Sequence, residues 1–467
     1  MTSRQQENLT EKIASWVARV SARDFPRAAK DRAKEHLLDG FATMLAGAQD
    51  NASLRIDRHL QKLGSKSQST VIGTNTKLAA QHAALANGIR GHVLDYDDAQ
   101  LASLPSRPFG QLTHPTTPVL AATLALAEAT EADGSSLLTA YMVGVEVACR
   151  LADAIDPRHY LDGFHPTGTM GAFGATAACA HLLKLDERRV ACALGIAGSL
   201  ASGVRAQRGT MAKSLNAGRA AENGVVAATL ARTGFTASTN IFEDPMGYLS
   251  AACSGKIDRR LIKLGKPHFF SDPGVAIKIY PCAAVMHPAL DALIVLAKTH
   301  RIQPIEVKRI RVALGPDAAL PLVYEKPRSG LEGKFSLPFS AAVAVIHRKA
   351  GPGEYTDEQV RNPKVTALMK SVELVRILRL KSKGNLGAQA EVEILLHNGH
   401  CYHRRATMAK GHPKKPLSRF ELEEKFRQCA EGLIPSGKAQ DFVAALWSIE
   451  KVSALAPWVR SLCLSHR

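Results

Sequence analysis

The sequence predicts a mainly α-helical protein that carries a mixed α/β segment late in the chain. Three observations point there. Apolar residues fill 46% of the 467 positions while aromatics fill only 5%, so Ala, Leu, Val and Ile dominate and close-packed helices are favoured over an aromatic-rich sandwich. Up to about residue 270 the apolar residues recur at helical spacing, beyond it strand-like alternation enters, and near residue 418 a helical pattern returns.

The elements follow in order. Ile13, Trp16, Val17 and Val20 share one helical face, and Leu37, Leu38, Phe41, Met44 and Leu45 share another within Ala33–Leu45. Ser69–Gly73 is β-like, and 79–86 is Ala-rich and predicted to stop at Asn87-Gly88. Thr117 and Pro118 suit the cap and first turn of a helix over 119–129. A further helix is expected over 136–155, with Glu146 and Arg150 at i,i+4. Small-residue helices are expected over 171–183 and 191–204, and another begins near Lys213. His287-Pro288 opens a helix, and Ile305 to Leu314 reads as a strand with a shift of phase. Ala388 to Leu396 alternates strictly and ends at Asn398-Gly399, a hairpin signal. Ser418 and Glu421 form a capping box.

The formal net charge of +18 is dispersed. Its densest parts, Arg404-Arg405 with Lys410–Lys415 and the segment Arg376–Lys383, lack the interleaved aromatics of a base-stacking platform, so no nucleic-acid partner is expected. Eight cysteines show no Cys-x-x-Cys pair or metal-finger spacing. The polar N-terminus has no apolar signal-peptide core, and His, Pro, Gly and Thr interrupt the long uncharged stretches 108–127 and 163–183. A cytoplasmic protein without a membrane partner is the expectation.

Four stretches hold the chemistry. His92-Val-Leu-Asp95-Tyr-Asp97-Asp98 sets three carboxylates beside a His, a density that suits a solvated cap or, with cations close by, a site. No His-x-x-x-His or calcium-loop spacing accompanies it, so no metal is expected. His114-Pro115-Thr116-Thr117 and His165-Pro166-Thr167-Gly168-Thr169 each stand before a helix, whose positive dipole end favours anions. Lys213 lies among small residues near a helix start, where an exposed or a partly buried amine both fit.

Taken in order, Asn87-Gly88, His92–Asp98, His114-Pro115, Gly163–Gly171, Gly209–Ala221, Lys278–Cys282, Lys334-Phe335-Ser336 and Lys410-Gly411 resemble the MmgE/PrpD family over almost the whole chain. Known members include 2-methylcitrate dehydratase, cis-aconitate decarboxylase and iminodisuccinate epimerase. The resemblance implies a large all-α domain formed by both chain ends, residues 1–270 and 409–467, with a smaller α/β lid, residues 271–408, inserted between them. It further implies a homodimer, no cofactor and a small polycarboxylate substrate. The family's catalytic residues fall on Asp95, His114, His165, Lys213 and Lys278, and the same motifs make Asp98, Thr169, Tyr280 and Phe339 candidates for substrate binding. Three positions depart from the family pattern. Ala99 stands where a Thr is frequent, Phe339 where a Tyr is frequent, and Cys282-Ala283 where some members carry a His. The reaction class implied is a lyase, dehydratase or decarboxylase, working by proton transfer beside a carboxylate. The alternatives are an epimerase, which is an isomerase, or a non-catalytic carboxylate-binding relative.

Overall fold

The Ala-rich periodicity is realised as a set of helices whose small residues let their backbones meet. The computed structural model describes residues 8–103, 113–380 and 386–464. The first seven residues, residues 104–112 with the start of the uncharged stretch 108–127, the end of the 376–383 basic segment and the last three residues lie outside the described residues.

The first helices, Leu9–Arg19 and Arg27–Ala46, bury the predicted faces: Ile13, Val17, Leu37, Leu38, Phe41, Met44 and Leu45 are all inaccessible. The Ala-rich helix does not stop at Asn87-Gly88 but runs over Ala80–Val93. Asn87 is absorbed into it because its side-chain amide donates to Thr70 O and accepts from Ile72 N, at 2.9 Å each, tying the helix to the short Ser69–Thr70 strand. Gly88 is retained because the Ala212–Arg232 helix crosses there. The helix Thr116–Ala129 is not capped by Thr117, whose hydroxyl donates to Asp97 Oδ2 instead. Helix Pro166–Leu182 begins five residues earlier than expected, with His165 at its N-cap position, and the next one spans Glu187–Leu200, its start fixed by Asp186 accepting from Arg189 N.

Gly134–Ala154 is long and apolar enough to cross a membrane by composition, yet 89% of its window is buried inside the protein, as in a core helix. Within it Arg150 Nε donates to Glu146 at 2.8 Å, the predicted i,i+4 pair, fully sequestered. Glu146 also accepts from Gly265 N and Phe269 N, so the carboxylate anchors an incoming loop.

Beyond residue 280 a four-stranded sheet forms in the order Val372–Arg376, Val307–Leu314, Ala390–Leu396, Cys401–Ala406, parallel at the first pairing and antiparallel at the others. The phase shift read in the sequence is an irregularity of register at Val307/Arg309, while Ile305 is exposed in a 3-10 turn. Ala390–Leu396 alternates buried and half-buried residues and turns at Asn398-Gly399 into its partner strand. Helices His287–Thr299 and Leu337–His347 cover the buried face.

Buried apolar side chains gather in two large clusters. One runs from Leu9 to Ile277 and takes in Leu422 to Leu462 from the chain's end, with Phe41 edge-on to Phe442 and Trp458. The other runs from Cys282 to Leu396. All eight cysteines are free thiols.

The crossing at Gly88 gives a test. A Cβ built there would meet Gly218 Cα at 2.7 Å, a backbone atom that cannot rotate away. Gly88→Ala gains about 1 kcal/mol of helix propensity, but overpacking costs about 1–3 kcal/mol. The net loss of up to about 2 kcal/mol should lower the melting temperature by circular dichroism by a few degrees at most. An unchanged or raised melting temperature would mean the helices do not approach so closely.

Candidate active site

Four helix ends converge on one cavity. Ala80–Val93 ends just before Asp95, His114 precedes Thr116–Ala129, His165 caps Pro166–Leu182, and Lys213 sits in the first turn of Ala212–Arg232. Lys278 arrives from the other side, because Val275–Ala276 pairs antiparallel with Ala99–Gln100 and so lies beside the acidic motif.

Asp95 holds the centre. It turns the chain after the helix in the left-handed region, φ 52°, a conformation that Asp tolerates better than most residues. Its Oδ1 accepts from Lys213 Nζ at 2.8 Å, and its Oδ2 and backbone O both accept from Lys278 Nζ at 2.9 Å. Burial alone would raise this carboxyl, but the two ammonium groups outweigh it and hold Asp95 well below the ordinary range.

The imidazoles around it are oriented by their second nitrogens. His114 Nδ1 lies 2.7 Å from Asp98 O, which can only accept, so Nδ1 carries the proton and the Nε2 lone pair faces Asp95 Oδ1 at 3.9 Å. At His165 the arrangement is reversed. Asn216 Nδ2 donates to Nδ1 at 3.1 Å, which leaves the proton of the neutral ring on Nε2. His92 bridges Lys213 Nζ, 2.7 Å from its Nε2, and Asp97 Oδ2, 2.8 Å from its Nδ1. All three rings are held well below 6.5, first by burial and then by neighbouring lysines, Lys213 for His92 and His165 and Lys278 for His114.

The five expected catalytic residues thus line one cavity, together with Tyr160, Arg205 and Arg208. The four expected substrate-binding residues do not line it. Asp98 is consumed by His36, Thr116 Oγ1 and Thr116 N, where its carboxylate caps the Thr116–Ala129 helix. Thr169 is bonded to His159 Nε2 at 2.9 Å. Tyr280 donates to Asp291 at 2.7 Å, and Phe339 is buried in the sheet-side core against Tyr355. Of the departures, Ala99 and Ala283 face the cavity, whereas Cys282 and Phe339 do not line it.

Sequence reasoning missed Arg205, Arg208, Tyr160 and Asn216. The available signal was Arg205-Ala-Gln-Arg208, two cations directly before the Gly209 motif. His92, Asp97 and His114 place possible metal-ligand atoms within 4.8 Å of one another. Both Nδ1 atoms and Asp97 Oδ2 are engaged in the bonds above, which leaves Asp97 Oδ1 without a hydrogen-bond partner, and the Lys213 ammonium at 2.7 Å from His92 opposes a dication there.

The depressed histidines fix the sign of a pH effect. Each folded pKa lies below its unfolded value, so the neutral-ring contribution is fully present above about pH 6.5 and is lost as pH falls below it. Urea midpoints should drop between about pH 7.5 and about pH 5.5, and the drop should shrink in a His92→Asn, His165→Asn double variant. A flat wild-type profile would contradict buried neutral rings.

The profile of the MmgE/PrpD N-terminal domain matches residues 11–260, and that of the MmgE/PrpD C-terminal domain matches residues 280–451. Among curated proteins, the cis-aconitate decarboxylase of Mus musculus is 26% identical over 470 residues, 98% of this chain and 93% of its own length. That of Homo sapiens is 26% identical, covering 95% of this chain and 92% of its own. One from Aspergillus terreus is 24% identical, covering 98% and 97%. With both family domains matched in order across the chain, the protein belongs to the MmgE/PrpD family.

Proposed function

We propose that the chain is a lyase acting on a small di- or tricarboxylate by proton transfer at a carbon next to a carboxylate, with loss of carbon dioxide favoured over loss of water. The observation that carries the reading is the Lys213–Asp95–Lys278 bridge set beneath two neutral imidazoles of opposite tautomer. The cis-aconitate decarboxylase relatives favour the decarboxylating outcome.

For an unsaturated tricarboxylate the steps balance as follows. The bond to one carboxyl carbon breaks and carbon dioxide leaves. Its electron pair forms a new carbon–carbon double bond, and the displaced π pair takes a proton beside a remaining carboxylate. Charge builds on that carboxylate, where Lys213 and Lys278 can stabilise it in a water-poor cavity. His165 is the donor in this reading. A polyanion beside the ring opposes the burial and lysine charges that depress it, so His165 takes up a proton with substrate and passes it from Nε2 to carbon. The reverse exchange returns the proton to His165 Nε2 by microscopic reversibility, while His114 turns a lone pair toward the cavity as a second base.

The two apolar clusters support reading residues 271–408 as a lid on a helical body built from 1–270 and 409–467. Family resemblance supports a homodimer without a cofactor.

Proton NMR in D2O with cis-aconitate, 2-methylcitrate, citrate, malate and iminodisuccinate tests the assignment. Loss of carbon dioxide from a tricarboxylate is expected. Inversion or deuterium exchange without a new skeleton would mean an epimerase, and silence across the panel would favour the binding relative. His165→Gln and Lys213→Met should each reduce turnover by about a hundredfold or more. Near-normal turnover in both would remove these residues from the mechanism.

A further inference from the structure

The charges lining the cavity do not balance. Lys213 and Lys278 share Asp95 between them, but Arg205 and Arg208 line the same cavity with no carboxylate partner among the described residues. Four cationic side chains therefore face a single anion, a surplus of three positive charges when the imidazoles are neutral.

Both guanidinium groups are fixed before any ligand arrives. The Arg205 segment is stitched to the His165 turn by two main-chain hydrogen bonds, His165 N to Gly203 O at 2.9 Å and Arg205 N to Gly163 O at 2.8 Å, around the bridge Phe164–Val204. Arg205 stacks its guanidinium 3.5 Å over the Tyr160 ring and donates from Nη1 to Tyr160 O. Its Nε is buried and has no acceptor. Arg208 donates from Nε to Arg205 O at 3.3 Å and reaches Leu320 O at 3.5 Å, while Arg208 O accepts from Tyr324 Oη at 2.8 Å. A stacked guanidinium with an unused donor is a ready fork for a carboxylate.

We infer that Arg205 and Arg208 form a subsite for one substrate carboxylate, separate from the Lys213–Lys278 pair, and that this subsite selects tricarboxylates over dicarboxylates. The inference rests on the proposed carboxylate chemistry and names where the extra carboxylate goes. The cause is electrostatic: a trianion matches the surplus among the lining side chains, and a dianion leaves one of the half-buried guanidinium groups without a carboxylate. His165, joined to Arg205 through the two main-chain bonds, is thereby held in a fixed position relative to the anchored end of the substrate.

Equilibrium binding separates this idea from the reaction. Calorimetric titration would use propane-1,2,3-tricarboxylate, which has no double bond to react, and glutarate, which has the same three-carbon backbone without the central carboxylate. Wild type should bind the tricarboxylate roughly thirtyfold tighter than glutarate. Arg205→Gln and Arg208→Gln should lose most of that ratio by weakening the tricarboxylate while leaving glutarate nearly unchanged. Arg205→Lys should restore part of it, and a melting curve matching wild type would show that the variants fold. Equal weakening of both ligands, an unchanged ratio, or a wild type that does not discriminate would each overturn the subsite. A preserved wild-type ratio that collapses in the variants would uphold it even if no acid in the NMR panel were turned over, in which case only the assigned reaction would fall.

Discussion

The structure depends on one buried carboxylate shared by two ammonium groups. Removing an ion from water costs several kcal/mol even after relaxation, and Asp95, Lys213 and Lys278 are 4%, 12% and 1% exposed in their side chains. They persist because each is bonded to another. The three come from different parts of the chain, so the pairings also pin a helix end, a helix start and the segment entering the sheet region to one point. A third lysine reinforces the same joint. Lys425, from the helix Arg419–Ala430, donates to Asp39, to Tyr96 O and to Lys278 O, at 2.5, 3.1 and 2.7 Å. The chain's last helical region thereby locks the backbone on either side of the Asp95 bridge.

That joint determines what the histidines can do. With ammonium groups nearby and little water, His92, His114 and His165 are driven to the neutral state, and a neutral imidazole has one donor and one acceptor nitrogen. The fold assigns those roles by choosing the partner of Nδ1. A carbonyl at His114 forces the proton onto Nδ1, and an amide N–H at His165 forces it off. Two residues in the same His-Pro-Thr sequence context are thus given opposite tasks by what stands behind them.

Much of this was legible in the sequence, and the reasons for the failures are physical. Helix faces such as Leu37 to Leu45, the strand at Ala390–Leu396 and the Ser418 capping box are local patterns and came through as read. Helix ends did not. The chain after Asn87-Gly88 stayed helical because a neighbouring backbone needed the glycine and a strand needed the asparagine. Neither partner is visible in a local window. The motifs located the region of the site but not the direction of each side chain. Asp95 and Asp98 are three residues apart, yet one lies between lysines and the other caps a helix. The arginines escaped notice because their one local signal, two cations before the Gly209 motif, does not place them in the cavity until His165 is seen to bond Gly203 and Arg205 to bond Gly163.

The small residues and the charged cavity are two aspects of one constraint. An anion site built from helix ends needs several helices to stop at one place, and their axes must then run close together behind it. Gly88 meets Gly218 backbone to backbone, a Cβ at Gly171 would come within 2.8 Å of Pro118, and Gly144 stands against Gly174. The first two crossings join the helices whose ends carry or adjoin His92, His114, His165 and Lys213, and the third packs the His165 helix against Gly134–Ala154. Larger side chains there would spread the helix axes and move those side chains apart, lengthening the 2.7–2.8 Å bonds that hold Lys213 to His92 and Asp95. The small residues at these helix crossings are therefore also what lets the buried charges stand close enough to compensate one another.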